Sequence, residues 1–400
     1  MAQVARPADR RAAAGLGVRH LTQVVPLWVL RDVVAPFLGT RLLLTAVGLL
    51  AIALLPMGPF PGYWSETGRG WLDTWSRWDG RWYLSVVRDG YGYVPGEQSN
   101  VAFSPLYPLL MHAGGLLFGA ADEVWLLTGI AVSNVALVVA LGVFVQLVRI
   151  DFDEATARRT ALYLLLFPTS LFLSAVYADS LYLALTIGAF YAARRERWWL
   201  AGGLGSLAAL ARPHGFLVLA PLAFEYLAQR RFDLRQIRPN VVWLGLIPGG
   251  LAVWAAHLYN LSGDPWLFVK AQSGWGRQLT APWDVLRQFF SEPLVAHGGQ
   301  AGWDHSMLDL GFTLLFLALV VATWRWVRPS YALYATLLFI PMITNGALAA
   351  SMRYGLALFP VFIILALAGR HPAFHQAYLV AATGFATFLM TLFALGFWVA

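Results

Sequence analysis

Long apolar stretches, each close to the roughly 20 residues that a helix needs to cross a bilayer, recur along this chain with short arginine clusters between them. In lipid such a stretch can satisfy its own backbone only as a helix or within a closed barrel, and runs of this length and continuity point to helices. The clearest cover 36–57, 124–148, 240–258, 308–324, 331–350, 352–369 and 376–399. The block 160–228 is also apolar, but Tyr177-Ala178-Asp179, Arg194-Arg195-Glu196-Arg197 and Arg212-Pro213 interrupt it. It reads as four short helices near 160–176, 178–193, 198–211 and 213–228. The segment 101–119 carries two prolines and two adjacent glycines, which suit a re-entrant or interfacial element better than a crossing.

With that segment held back, the arginines fall on alternate connections. Arg6, Arg10, Arg11, Arg19 and Arg31 precede the first span, and Arg149 with Arg158 and Arg159, the 194–197 cluster, Arg230 to Arg238, Arg325 to Arg328, and Arg370 share their side. Positive residues mark the cytoplasmic face. The expected architecture is therefore an all-α polytopic membrane protein, one unit over 1–400, with about eleven transmembrane helices and one half-element. Two long loops lie on the opposite, non-cytoplasmic face, 58–123 and 259–307. The basic N-terminus has no apolar core followed by a small-residue cleavage site, so no removable signal peptide is expected.

Composition agrees. The chain is 59% hydrophobic and 12% charged, with a mean hydropathy of +0.61; a soluble domain carries about 25% charged residues. A net charge of +7 would suggest nucleic acid in a soluble protein, but here the arginines lie between apolar segments, where topology accounts for them. With no cysteine, disulfides, thiolate metal sites and cysteine nucleophiles are excluded. Lys270 is the only lysine, a genomic bias that points to a bacterial source and hence to the inner, or plasma, membrane.

Polar variety gathers on the non-cytoplasmic side, which argues for a one-sided site; a transporter more often places polar residues at mid-membrane, between repeats. Asp79 stands in RWDGRWY beside Trp78, Arg81 and Trp82. Rings stack on sugar faces, arginines pair with phosphate, and transfer of a sugar from a lipid phosphate needs chiefly a base for the acceptor hydroxyl. Against this stands a structural reading, in which the tryptophans form an interfacial belt and Asp79 caps a helix. Asp73 fits a second polar contact or a cap, and Asp89-Gly90 reads as a turn. Arg353, between two apolar runs on the outer side, opposes the positive-inside trend and suits an anionic lipid phosphate; snorkelling to headgroups is the alternative. Arg212 and His214 sit at another outer junction. Asp179 either binds a sugar hydroxyl or holds Arg212 or Arg353. Lys270, Gln272, Trp275 and Arg277 make a basic and aromatic group in the second loop. His297, His305 and Asp304 match no strong zinc pattern, so no metal is expected.

Taken in order, the WD pair, FSPLYPLL (103–110), FPTSLFLSAVYADSLY (167–182), ALARPHG (209–215) and SMRYGLALFP (351–360) resemble PIG-V-like mannosyltransferases over about 75–360. The resemblance implies a GT-C fold and an inverting transfer from a polyprenyl- or dolichyl-phosphate sugar, most simply mannose, to a lipid-linked or glycan acceptor. It implies an acidic residue of the first outer loop as base, a position that Asp79 matches, and an enzyme without metal or other cofactor. On this reading Asp79 is the base, and Arg353 with Arg212 or Lys270 binds the donor phosphate. Trp78, Arg81, Trp82, Asp179 and His214 shape the sugar or acceptor pocket. The competing class is a flippase or transporter of lipid-linked sugars, which would use the arginines but not the base. A ligase or polymerase with a lipid diphosphate donor would want more cations than the loops supply.

Overall fold

The computed structural model of the protein describes residues 26–58, 67–68, 70–291 and 307–399. Helix α1 (Leu27–Leu54) is followed by α2 (Asp79–Asp89), α3 (Leu106–Phe118), α4 (Asp122–Val148), α5 (Glu154–Leu166), α6 (Asp179–Arg194), α7 (Trp198–Ala211) and α8 (Leu219–Gln229). After α9 (Pro239–Ser262) come α10 (Pro282–Ser291), α11 (Met307–Trp326), α12 (Pro329–Ile343), the one-turn α13 (Ser351–Tyr354), α14 (Phe359–Ala368) and α15 (Pro372–Ala394). No strand occurs among the described residues. The N-terminal arginines up to Arg19, and His297, Asp304 and His305, lie outside the described residues.

Among the described residues five helices are long and apolar enough to cross a membrane: α1, α4, α9, α11 and α15. The protein is a multi-pass membrane protein. The stretch 352–369 is not the straight span its hydropathy suggests: α13 and its 3-10 continuation meet α14 at a bend of 91°. Proline at position 360 explains the break, because the preceding residue is disfavoured in a helix interior and Pro360 itself donates no hydrogen bond. Helix α3, within 101–119, has 13 residues; its rise of about 20 Å falls short of a hydrocarbon core of about 30 Å.

Helix α4 forms the centre, packed against α3, α5 and α6, while α7 joins α6 to α9, and α14 packs on α5 and α11. Between α5 and α6 the chain is irregular yet buried, a state tolerated in a membrane only if each backbone group finds a partner. Neighbouring side chains supply those partners. Ser133 of α4 donates to the carbonyls of Ala175 (2.7 Å) and Tyr177 (3.1 Å). The Arg41 guanidinium, in the middle of α1, donates to the carbonyls of Leu165 (2.9 Å) and Ser170 (2.7 Å), capping the end of α5.

Arginines and carboxylates pair where α4, α6 and α11 end and α5 and α12 begin: Arg149 with Glu154, Arg194 with Asp151, Arg328 with Glu225, and Arg370 with Asp153. By the alternation of the helices this is the opposite end from Asp79, Asp179, Arg212 and Arg353. At that second end the 263–277 segment docks onto the first long loop. Gly274 is pressed so closely to the Glu97 carbonyl oxygen that an added Cβ would collide with it. Backbone cannot rotate aside as a side chain can. Gly274→Ala should therefore lower stability by about 1–3 kcal/mol, the usual range for overpacking. The check is the thermal midpoint in detergent, with Gly249→Ala, whose Cβ would meet open space, expected to lose nothing.

Candidate active site

Four charged groups meet at helix ends. Asp79 is the first residue of α2 and Asp179 the first of α6, so both carboxylates sit where the helix dipole favours negative charge. Arg212 closes α7, held in extended backbone (φ −150°, ψ 139°) by the proline that follows it. Arg353 rides on α13. Its Nη1 lies 2.5 Å from Asp79 Oδ2, its Nη2 lies 3.3 Å from Asp179 Oδ2, and Arg212 Nη2 lies 2.5 Å from the same Asp179 oxygen. The order Asp79–Arg353–Asp179–Arg212 alternates in sign and is neutral in sum.

The surroundings fix this string in place. The Arg353 guanidinium is buried and stands 4.3 Å from the centre of the Tyr177 ring, a cation–π contact. The Tyr177 hydroxyl accepts the Asp79 backbone N–H (3.2 Å) and donates to the Arg77 carbonyl (3.1 Å). Burial, and then Asp79, push that phenol well above its ordinary range, so it stays protonated and keeps donating. Helix α13 is held by Asp309, which accepts the Ser351 N–H (2.9 Å), and by Thr169, which donates to the Met352 carbonyl (2.8 Å). Backbone strain flanks both partners: Trp78 has φ 59° and ψ −108°, the first central position of a II′ turn that glycine normally takes, and Ala350 has φ 61°. Such strain amounts to about 1–3 kcal/mol per residue and persists only where the surroundings over-determine it.

Asp79 is mostly buried, its side chain 14% exposed. Arg353 bonds to Oδ2 and Arg212 to Asp179, so neither arginine of the string bonds to Asp79 Oδ1. Trp82 and Tyr83, one turn further along α2, meet Phe103, and Trp82 lies edge-on to Trp275 of the second loop at 5.1 Å. Of the rings expected to shape a sugar pocket, Trp82 is thus the one that this aromatic group includes. Trp78 does not line it: buried, it donates its indole N–H to the Phe397 carbonyl (3.0 Å) and supports α2 from below. Arg81 is exposed on the surface of α2. Asp73 takes the Thr67 backbone N–H and hydroxyl, a capping role, and Asp89 lies exposed at the turn.

Lys270 is not brought to the string. Its ammonium is exposed and paired with Asp264 at 2.5 Å, because both belong to one surface turn of the second loop. The cation that the loop does turn inward is Arg277. With Arg212, His214, Gln272 and Tyr354 it lines a cleft of about 280 Å³, whose apolar lining includes Phe216, Phe268, Leu338 and Met342. His214 opens onto this cleft, where packed protein, then the cations Arg212 and Arg277, pull its imidazole below the ordinary histidine range. Asp309, Tyr177 and Arg41 escaped the sequence reading as site or support residues, and Arg277 entered it only as one member of the basic and aromatic group of the second loop, with no role assigned. A charge inside an apolar run was the available signal for Arg41 and Asp309.

Arg353→Met should lower stability by about 3–5 kcal/mol, since it leaves buried carboxylates without their cation. Adding Asp79→Asn should recover part of that loss, a coupling of about 0.5–3 kcal/mol. Thermal unfolding of the four proteins of that cycle measures it, and strictly additive effects would show that the pair is not coupled.

A model of the family described as mannosyltransferase (PIG-V) matches residues 46–255, which include Asp79, Asp179, Arg212 and His214 but not Arg353. GPI alpha-1,6-mannosyltransferase 2 of Mus musculus is 31% identical over 160 residues, 38% of this chain and 31% of the relative. GPI mannosyltransferase 2 of Yarrowia lipolytica is 26% identical over 200 residues, 50% of this chain and 52% of the relative. The matches thus span about a third to a half of these relatives' lengths. Among solved structures, ArnT of Cupriavidus metallidurans bound to undecaprenyl phosphate aligns with a TM-score of 0.47 and 16% identity, covering 86% of this chain and 62% of that one. The Archaeoglobus fulgidus oligosaccharyltransferase in its apo form aligns with a TM-score of 0.44 and 14% identity, covering 94% and 57%.

Proposed function

This chain belongs to the mannosyltransferase (PIG-V) family, and from that premise we propose that it is a membrane glycosyltransferase of GT-C type, moving mannose from a polyprenyl-phosphate carrier to a hydroxyl of a lipid-linked or glycan acceptor. The observation that carries the proposal is the contact of Asp79 with Arg353 at the mouth of the helices: a carboxylate that gives only one of its oxygens to its partner, and a buried guanidinium suited to phosphate.

In the proposed reaction an acceptor hydroxyl approaches Asp79 Oδ1. Its oxygen attacks the anomeric carbon from the face opposite the carrier, its proton passes to Asp79, and the bond between that carbon and the carrier phosphate oxygen breaks. The bonding pair leaves with the phosphate, and the anomeric centre inverts. Arg353 and Arg212 steady the leaving phosphate, while Trp82 and its aromatic neighbours hold the sugar ring. Metal independence belongs to this proposal, and its support is that both carboxylates of the string already face guanidiniums.

The proposal extends to topology. Eleven crossings follow if the shorter helices α5, α6, α7, α8 and α12, and the bent pair α13–α14, join the five long ones, with the ion pairs of Arg149, Arg194, Arg328 and Arg370 on the cytoplasmic side and the string on the periplasmic or extracellular face of the inner membrane. The segregation of arginines supports this, as does the burial of the short helices among longer neighbours.

Purified protein should transfer labelled mannose from polyprenyl-phosphate mannose to native lipid acceptors, with or without EDTA. Asp79→Asn should reduce turnover by about 10²–10⁴-fold, the usual contribution of a general base, while its folding and donor binding survive. Undiminished turnover in that variant would sink Asp79 as the base. Donor binding without transfer by the unaltered protein, across all prenyl-phosphate sugars, would favour a flippase.

A further inference from the structure

The charges around the cleft do not cancel. Asp79 and Asp179 are matched by Arg353 and Arg212, and Lys270 by Asp264. Arg277 is different. Among the described residues its guanidinium contacts no carboxylate; Nη1 donates to Gln272 Oε1 (3.1 Å) and Nη2 to the Tyr354 hydroxyl (2.5 Å), both neutral. It is half-buried, and it lines the cleft together with Arg212. A cation drawn partly out of water beside another cation is held at a cost unless an anion joins it.

Its placement is built by the loop. Gly274 sits against the Glu97 carbonyl, Trp275 docks edge-on to Trp82 and Phe103, and Gly276, at φ 69°, turns the chain in a conformation that glycine takes without strain. The next residue is thereby aimed at the cleft. Besides the guanidiniums and the polar groups of Tyr182, His214, Gln272, Asn345 and Tyr354, the lining is apolar and includes Phe216, Phe268, Leu338 and Met342.

We propose that Arg277 is a donor-binding residue, which takes the single negative charge of a prenyl phosphodiester at the Arg212 end of the cleft while the first prenyl units lie along the apolar wall. The assignment rests on the glycosyltransferase reading above and adds a division of labour to it. Arg277 neutralises the charge that the donor already carries, whereas Arg353 meets the charge that appears as the bond breaks. An interaction equally strong before and during the chemical step alters KM and leaves kcat alone. A diphosphate carrier, with at least one charge more, would exceed what the one cation of the cleft without a carboxylate partner among the described residues supplies.

The test uses the full-length protein in nanodiscs with farnesyl methyl phosphate, a non-transferable phosphodiester, as binding probe. Arg277→Gln should weaken its binding by roughly 10- to 100-fold, the effect of losing a charge-assisted hydrogen bond. Arg277→Lys, which keeps the charge without the fork, should fall between the two and covers the case in which the glutamine variant does not fold. Asp79→Asn removes no cation and relieves Arg353 of its matching charge, so it should bind the probe no more weakly than the unaltered protein while losing turnover, which distinguishes a failure of Asp79 as the base from a failure here. With polyprenyl-phosphate mannose, Arg277→Gln should raise KM by a similar factor with kcat within about twofold. Unchanged probe binding in Arg277→Gln and Arg277→Lys, or tighter binding of farnesyl diphosphate than of the diester, would overturn the assignment.

Discussion

The Arg353 guanidinium lies between two carboxylates that the chain places 274 and 174 positions away, and the geometry of this end of the molecule follows from that contact. A buried cation needs anions, and buried anions need cations, so none of the four charges of the string can be moved alone. Each arrives on a helix end whose position the rest of the fold must guarantee. Asp79 and Asp179 come at helix N-termini, where exposed N–H groups and the dipole favour them. Arg353 comes on a four-residue helix that would not persist alone.

The support is correspondingly heavy. The chain between α5 and α6 leaves regular structure just where the string is assembled, and side chains from α1 and α4 replace its lost helical hydrogen bonds. Trp78 and Ala350 hold positive φ immediately before Asp79 and before α13, anchored on one side by the Trp78 indole bond to Phe397. Strain of this kind is retained when something more valuable than local comfort depends on it. Here it precedes the two residues, Asp79 and Arg353, whose contact joins the helix ends.

Much of the helical framework was legible because apolar runs of bilayer length admit few solutions: α1, α4, α9, α11 and α15 stand close to where hydropathy puts them. The bend between α13 and α14 was not, since hydropathy averages over residues and cannot tell one straight span from two pieces that meet at a proline. At the site, Asp79, Arg353, Asp179 and Arg212 were legible as charges out of keeping with their apolar neighbours. Which loop cation turns inward was not. Lys270 and Arg277 belong to the same loop, and the choice between them depends on the docking of Gly274 and the turn at Gly276, contacts between segments far apart in sequence. Trp78 shows the same limit from the other side: a tryptophan beside an aspartate reads as a binding ring, but the turn directs it into the interior.

The arrangement also answers how a base can work while paired to a cation. In the proposed reaction the carrier begins as a phosphodiester with one charge and leaves as a monoester that gains another. At the same moment Asp79 takes the acceptor's proton and loses its charge. Arg353, until then matched by Asp79, has positive charge to give just as the phosphate acquires negative charge, and the guanidinium is anchored over Tyr177 while this happens. No net charge has to enter or leave the buried string; one unit moves from carboxylate to phosphate past a fixed cation. In a site screened from water, where each unmatched charge is expensive, a base and a phosphate ligand held in contact are more economical than the same two groups held apart.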